Sequence, residues 1–456
     1  MKKLLIIATL AAVGMGACSK DDGVSAPEDL RKYVQVTIPE NAASGETRTS
    51  VDGTTPSWVA GDKVAVSLYN GSTTEVCEFT ADRTGATTTF SGSVPVGSYT
   101  CAAAHYPFCA ATFDAVNKTF THTWGDAYCS TDLAAYDFMF STVYETPFVV
   151  DETTTVLPIA LTFRPLMARI GMKLALGANE TPKYVTFTTD DNVLPTAGTV
   201  NADGTFSASA LTNSLTVETD RKEFTVGLLP VGVASKMSVH VTTTDGMTYS
   251  DKSFQLAGLK RNTHYTMNVP CRTKRFMLTV PDGVNSKYGT GTYKNNEFYS
   301  VDPATDPTGI FKDWYFYRAE LKNTTNTARG DKLKGKNRIQ LQVALGGNNS
   351  NNGAFVTAPI QCDGTKTVTV SFTAATNRAI SANYWIGVTD NGPITSDWLR
   401  DINKISPHAE GLIPRSDNVS HSHTFTVTNG QRIMVKVSNT LGEHHLEFAD
   451  FTYTVE

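Results

Sequence analysis

The sequence predicts an all-β, multi-domain protein built from antiparallel β-sandwiches, and three observations carry that expectation. Apolar residues recur at period two in Val34/Val36/Ile38, Val64/Val66/Leu68, Phe224/Val226/Leu228, Ile339/Leu341/Val343/Leu345, Val368/Val370/Phe372 and Ile433/Val435/Val437. Each such strand has one apolar face and one face of Thr, Lys, Ser and Gln, the pattern of a sheet buried on one side and wet on the other. Asp-Gly and Asn-Gly pairs punctuate the runs at Asp52-Gly53, Asn70-Gly71, Asp203-Gly204, Asp245-Gly246, Asp363-Gly364 and Asn429-Gly430, where a positive φ is cheap and hairpins turn. Charged residues are 18% of the 456, below the roughly 25% of an average globular protein. The one long apolar run lies at residues 4–18. Coiled coils, long polyampholytes and polytopic membrane proteins are thereby excluded. The formal charge of −5 argues against a nucleic-acid partner, and the length allows about three domains of ~150 residues.

In chain order, Met1-Lys2-Lys3 is a basic start, Leu4 to Val13 is apolar, and Gly14-Met15-Gly16-Ala17 are small residues leading to Cys18. This is a secretory signal, residues 1–17, too short to span a bilayer. The small residues before Cys18 resemble a bacterial lipobox, with Met15 where Leu is usual. Its Cys thiol would receive a diacylglycerol and become the mature N-terminus. Ser19-Lys20-Asp21-Asp22 resemble the export signal of Bacteroidetes lipoproteins carried to the outer face of the outer membrane. The expected address is therefore the cell surface, with residues 18–30 as a lipidated tether. Several acyl chains at about 0.8 kcal/mol per buried CH₂ make such an anchor long-lived.

Six cysteines follow: Cys77, Cys101, Cys109, Cys129, Cys271 and Cys362. The four in residues 77–129 could pair in three ways in an oxidising compartment, or stay as buried thiols, the blander reading. No CxxC or Cys/His zinc spacing occurs. Cleavage of the signal lowers Lys+Arg from 39 to 37 against 44 Asp+Glu, a net −7. Residues 19–271 hold 17 basic and 27 acidic residues, whereas 272–456 hold 20 and 17. A domain boundary is expected at this seam, Val269 to Arg275. The best helix signal is Ser396 to Ile405, capped by Ser396 and stopped before Pro407. Near the end, Leu446 and Phe448 share one parity while Phe451, Tyr453 and Val455 share the other, which predicts a β-bulge near Asp450.

Ser57-Trp58-Val59-Ala60-Gly61-Asp62-Lys63-Val64 resembles the Trp-x-x-Gly-Asp-x-Ile/Val signature near the start of fimbrillin-like proteins, with Gly61-Asp62 turning into a strand and Trp58 packing on its core. Leu161-Thr162-Phe163-Arg164-Pro165-Leu166 resembles the opening of the second fimbrillin domain, where Arg164 replaces a frequent His. Gly227-Leu228-Leu229-Pro230 and Leu259 to Val269 resemble its late strands. The resemblance implies two transthyretin-like antiparallel β-sandwich domains, 31–155 and 156–271, of the kind that build Bacteroidales pili. It also implies cleavage by a trypsin-like protease after a basic residue in an early loop, here Arg48, which opens a groove for a strand of another pilus subunit. The alternative for Arg48 is an exposed side chain in a Thr-rich loop. Residues 272–456 resemble the jelly-roll, galactose-binding-like modules appended to many Bacteroidetes surface proteins, through Asn337 to Val343, Ala354 to Ile360, Thr365 to Ala375 and the closing Glu447 to Tyr453.

Aromatics gather in that last module, and sugar rings stack on flat aromatic faces. Trp398, Trp385, Tyr384, Tyr315 and Tyr317 are candidate glycan-binding residues, with core packing as the competing reading for at least half of the module's aromatics. Lys332, Lys334, Lys336 and Arg338 alternate into the strand that continues through Ile339. They form a basic row for anionic glycans or, more simply, lysines that keep an exposed strand from pairing. His421-x-His423 and His444-His445 are expected to be solvent-exposed rather than metal ligands. Glu297 and Asp450 are weak candidates for a structural Ca²⁺; no other cofactor is expected. Hydrolase motifs are missing: there is no G-x-S-x-G, H-E-x-x-H or P-loop. The expected function is a non-catalytic fimbrial subunit or adhesin contacting other pilus subunits, glycan or a host surface protein. The alternatives are a glycan-capturing outer-membrane lipoprotein without a pilus, and an unrecognised glycoside hydrolase.

Overall fold

The computed structural model describes residues 30–38, 58–85, 87–281, 298–300, 310–325, 332–343, 352–376, 381–390, 392–406, 408–414, 418–438 and 445–456. The signal and tether, with Cys18, Ser19, Lys20, Asp21 and Asp22, lie outside them, as do Arg48, Glu297 and His444. Among the described residues no helix is long and apolar enough to cross a membrane.

Alternating strands dominate, as expected, and among the described residues three large cores result. The first lies on a seven-stranded antiparallel sheet whose order is Arg31–Ile38, Thr88–Pro95, Thr74–Ala81, Lys63–Tyr69, Cys101–Tyr106, Met139–Ser141 and Phe163–Pro165. Val34, Val66, Phe79, Phe90 and Leu161 meet there around Trp58, which is 4% exposed. Trp58 contacts Phe90, Tyr106 and Phe163 edge-on at 5.0, 5.5 and 5.5 Å. The turn below it is closed twice: Gly61 has φ +90°, the Asp62 N–H donates to Val59 O at 2.9 Å, and the Asp62 carboxylate accepts the Val59 N–H at 2.7 Å, a β-turn leading into the strand Lys63–Tyr69.

The one-wet-face expectation fails at the centre of this sheet. In Cys101–Tyr106 every residue is buried, because Ala102, Ala104 and Tyr106 serve the first core while Cys101 and Ala103 face the second. Small side chains make that double burial tolerable. The second core lies among four groups of strands: this face, a four-stranded sheet, a three-stranded sheet and half of a ten-stranded sheet. The hairpin Thr112–Asp114/Thr119–Thr123 pairs with Leu194–Asn201, so a cut at 155/156 divides the second core. Ala168–Leu174 and His264–Val269 pair in parallel, a departure from a purely antiparallel scheme.

The last module is a two-sheet sandwich. A six-stranded sheet, ordered Phe298–Ser300, Tyr315–Tyr317, Ala354–Val356, Arg432–Val437, Ala382–Thr389 and His408–Ile413, faces the far half of the ten-stranded sheet. The core between them holds Trp314, Phe316, Phe355, Phe448 and Phe451. The ten-stranded sheet is continuous through the compositional seam. Lys274–Met277 pairs with Thr248–Leu256 on one side and with His445–Val455 on the other.

The predicted bulge is present. On the strand Lys366–Thr376, Thr373 faces Ala449 and Ser371 faces Thr452, so two residues span three. The extra residue region includes Asp450 at φ 53°. The slip lets both parities reach one core: Leu446, Phe448, Phe451 and Tyr453 are all buried in it.

Several expectations are corrected. The helix runs only Ser396–Arg400 and is capped by Thr395, followed by a 3₁₀ turn at Ile402–Lys404. Lys332 and Lys334 lie on a turn, and the strand begins at Arg338, so no basic row forms on a strand face. That strand has neighbours on both sides, which leaves lysines no edge to protect. All six cysteines in the described residues are free, four of them buried. His421 and His423 are half-buried rather than exposed, because they stack on Phe372 at 5.5 and 6.1 Å.

Candidate functional site

Two places combine exposure with organised chemistry. The first is a slot filled by the strand Arg31–Ile38 at the edge of the first sheet. Val34, Val36 and Ile38 are 0–1% exposed and point into the core, while Tyr33 on the other face is 66% exposed. All eight residues are in register with Thr88–Pro95. On the other side the contact is brief: Gln35 donates its N–H to Thr155 O at 2.9 Å and accepts the Leu157 N–H at 2.8 Å. Opposite Val34 stands Gly92, where an added Cβ would lie 2.5 Å from Glu78 O and 2.7 Å from the Phe79 ring. The clash is with the next strand, Thr74–Ala81, so Gly92 fits the slot's wall to its neighbour, and the occupant is held by main-chain bonds, three apolar pegs and the Arg31 and Lys32 side chains, which donate to Ser93 O at 2.9 Å and Glu152 O at 2.6 Å. That is how an extended segment is recognised generally.

The second place is the outer face of the six-stranded sheet in the last module. The short helix lies on it. Thr395 accepts the Trp398 N–H at 3.2 Å and begins the turn. Leu399 then packs on a small core of Tyr317, Val356, Ile405 and Met434. Tyr315, Trp385 and Trp398 are half-buried at the rim of this core. Two cations on the strand Arg432–Val437 support the arrangement. Arg432 stands 5.6 Å from the Tyr315 ring and donates to Asp313 O at 2.6 Å and Thr357 O at 2.8 Å. Lys436 donates to Leu399 O at 3.2 Å, and burial pushes its ammonium down to about 8. These two residues escape sequence reading. Alternation places Arg432, Met434 and Lys436 on a wet face, and only the helix makes it a dry one.

Of the five aromatic candidates, the structure brings three together. Tyr317 is fully buried beneath them, so it has no face for a ligand. Tyr384 points the other way, into the main core, with its hydroxyl 2.8 Å from His423 Nε2. The lysines do not join the patch. Lys336 pairs with Asp450 at 2.5 Å on the other sheet, and the turn at Lys332 is pinned by the buried Glu447 carboxylate, which accepts the Lys332 and Leu333 N–H groups at 3.1 and 2.8 Å. Asp450 also accepts the Thr373 hydroxyl at 3.4 Å, and Glu297, the other calcium candidate, lies outside the described residues. Among the described residues no group of three His, Cys, Asp or Glu is placed to hold a metal.

A family model described as fimbrillin-like matches residues 47–283. No curated protein matches the chain. Among solved structures, a candidate cell adhesion protein from Bacteroides uniformis is 17% identical, covering 54% of this chain and 94% of its own, with a TM-score of 0.36. The tip fimbrial protein of Porphyromonas gingivalis, truncated at its C-terminus, is 11% identical over 56% and 96%, with a TM-score of 0.28. A xylan-binding domain from Paenibacillus barcinonensis is 12% identical over 31% and 85%, with a TM-score of 0.21.

Proposed function

The chain belongs to the fimbrillin-like family, and on that premise we propose that it is a non-catalytic fimbrial subunit or adhesin of the cell surface, tethered to the outer membrane through Cys18. The observation that supports this most is the edge slot. A strand held by one full ladder, one short one and three pegs is replaceable by a strand with the same alternation. Cys18 and the strand Arg31–Ile38 both precede Arg48 in the chain. Cleavage after Arg48 therefore cuts the covalent link to both the lipid tether and the slot's own strand, which an incoming strand can then displace, whereas an uncleaved chain stays on the membrane as an anchor. The strand His445–Val455 is enclosed between neighbours and so is held in its own fold. The last module supplies the contact surface, with Tyr315, Trp385 and Trp398 as stacking faces for sugar rings.

N-terminal sequencing of the protein shaved from cells tests the reading. A chain beginning at Thr49 supports strand exchange; an intact chain beginning at Cys18 removes it. The same three aromatic rings favour a second reading, a glycan-capturing lipoprotein without a pilus. Immunogold labelling separates the two, since signal on fibres supports the first and signal confined to the membrane the second.

A further inference from the structure

Where the second sandwich meets the last module, three ionisable side chains converge away from water. Lys274 is 1% exposed as a side chain, Glu180 6% and Asp245 3%. The Lys274 ammonium donates to Glu180 Oε1 at 2.7 Å and to Asp245 Oδ2 at 2.9 Å, and also to the Gln361 carbonyl. The other oxygen of Asp245 is differently engaged. Oδ1 accepts the Thr243 hydroxyl at 2.5 Å and the Met247 N–H at 3.2 Å. Glu180 Oε1 also accepts the Tyr249 hydroxyl at 2.6 Å. Burial, and then the Glu180 carboxylate, push that phenol up, so it remains a donor.

We propose that Lys274 and Asp245 become joined by an intramolecular amide bond, Nζ to Cγ, with Glu180 carrying the protons. The atoms balance without any external reagent. Glu180 takes one proton from the ammonium, which frees the nitrogen lone pair to attack Cγ of Asp245. Negative charge gathering on Oδ1 meets the two donors already aimed at it, the Thr243 hydroxyl and the Met247 N–H, the arrangement that stabilises tetrahedral intermediates in acyl transfer. Oδ2 leaves as water, taking the proton relayed by Glu180 and a second one lost from Nζ. Glu180 ends as the carboxylate it began as. Hydrogen-bond contact between the reacting groups is close to an attack geometry.

Burial favours the product. An ion pair removed from water bears a desolvation cost that a neutral amide does not, and a site that excludes water protects the bond from hydrolysis.

Position gives the bond a use. Asp245 sits at the tip of the hairpin joining Ser235–Thr243 to Thr248–Leu256, and Lys274 begins the strand shared by both halves of the continuous sheet. The Gln361 N–H, from the last module, reaches Asp245 Oδ2 at 3.3 Å. An amide here staples the connection through which a load on the last module must pass.

Tryptic peptide mapping of the full chain by tandem mass spectrometry tests this. The bond predicts a branched peptide in which Met237–Lys252 is linked to Thr273–Arg275, uncut after Lys274, and lighter than the sum of the two by one water, about 18 Da. In Glu180→Gln, taken from the folded monomeric fraction, linkage slows by about 100-fold or more, as expected on losing a general acid–base group. Unlinked peptides in the wild-type protein overturn the proposal. Full linkage in Glu180→Gln overturns the role given to Glu180.

Discussion

Replacing Val36 by Ala tests whether the first strand is a replaceable occupant of its slot. Val36 is fully buried, opposite Phe90 in the ladder with Thr88–Pro95. The change removes two methyl groups at about 0.8 kcal/mol each. A partly relaxed cavity beside Phe90 raises the cost to about 2 kcal/mol, which is about a 30-fold change in an equilibrium constant. The assay cuts the chain after Arg48 and then follows release of the fragment carrying residues 31–38 by size exclusion, at a urea concentration that brings wild-type release into hours. Val36→Ala should favour release about 30-fold. Tyr33→Ala, on the face that is 66% exposed, should alter it by less than about 0.5 kcal/mol. Equal release from wild type and Val36→Ala, or a larger effect of Tyr33→Ala, would refute the reasoning, because the strand would then be held by something other than its buried pegs.

Three further outcomes follow from other parts of the molecule. His105 is buried against Phe138, and burial pushes its imidazole down to about 4. Between its ordinary value and that one, the unfolded chain binds a proton that the fold excludes. The stabilisation is complete above about pH 6.5, is lost as pH falls through that window, and amounts to about 3 kcal/mol; a Tm series from pH 7.5 to 4 should be flatter in His105→Gln. Deleting Asp450 removes the bulge and turns residues 451–455 to the wrong face, so the last module should lose its cooperative thermal transition. On a glycan array, Trp398→Ala should weaken any sugar bound by the last module about tenfold, for the loss of ~1.4 kcal/mol of stacking, while Tyr384→Phe, a buried ring, should leave it unchanged.

The parts of this fold that were legible are those written in short stretches of chain. The Gly61-Asp62 turn needs only neighbouring residues to form, and it fixes where Trp58 enters the core. Gly71, Gly204, Gly246, Gly364 and Gly430 have positive φ, from 64° to 97°, where Asp-Gly and Asn-Gly pairs call for turns. The bulge was readable because a one-residue change of parity has few other meanings in a strand. The candidate site was legible in composition and not in geometry. Tyr315 and Tyr317 share a parity, yet one stands at the rim and the other beneath it, because the helix over that sheet covers only part of the face. Tyr384 and Trp385 are neighbours whose rings go to opposite sides of one sheet.

The amino-acid sequence by itself determined the all-β class, the positions of the turns and the family, since each rests on residues a few positions apart. Only the tertiary structure decided which faces are dry. Ala103 is buried because a second core lies behind its sheet, Lys436 because a helix lies over it, and Lys274 because two carboxylates from distant loops close around it. Alternation along a strand records that two faces differ. What covers each face is settled by contacts far along the chain, and those decide whether a charge is solvated, paired or placed beside a group with which it can react.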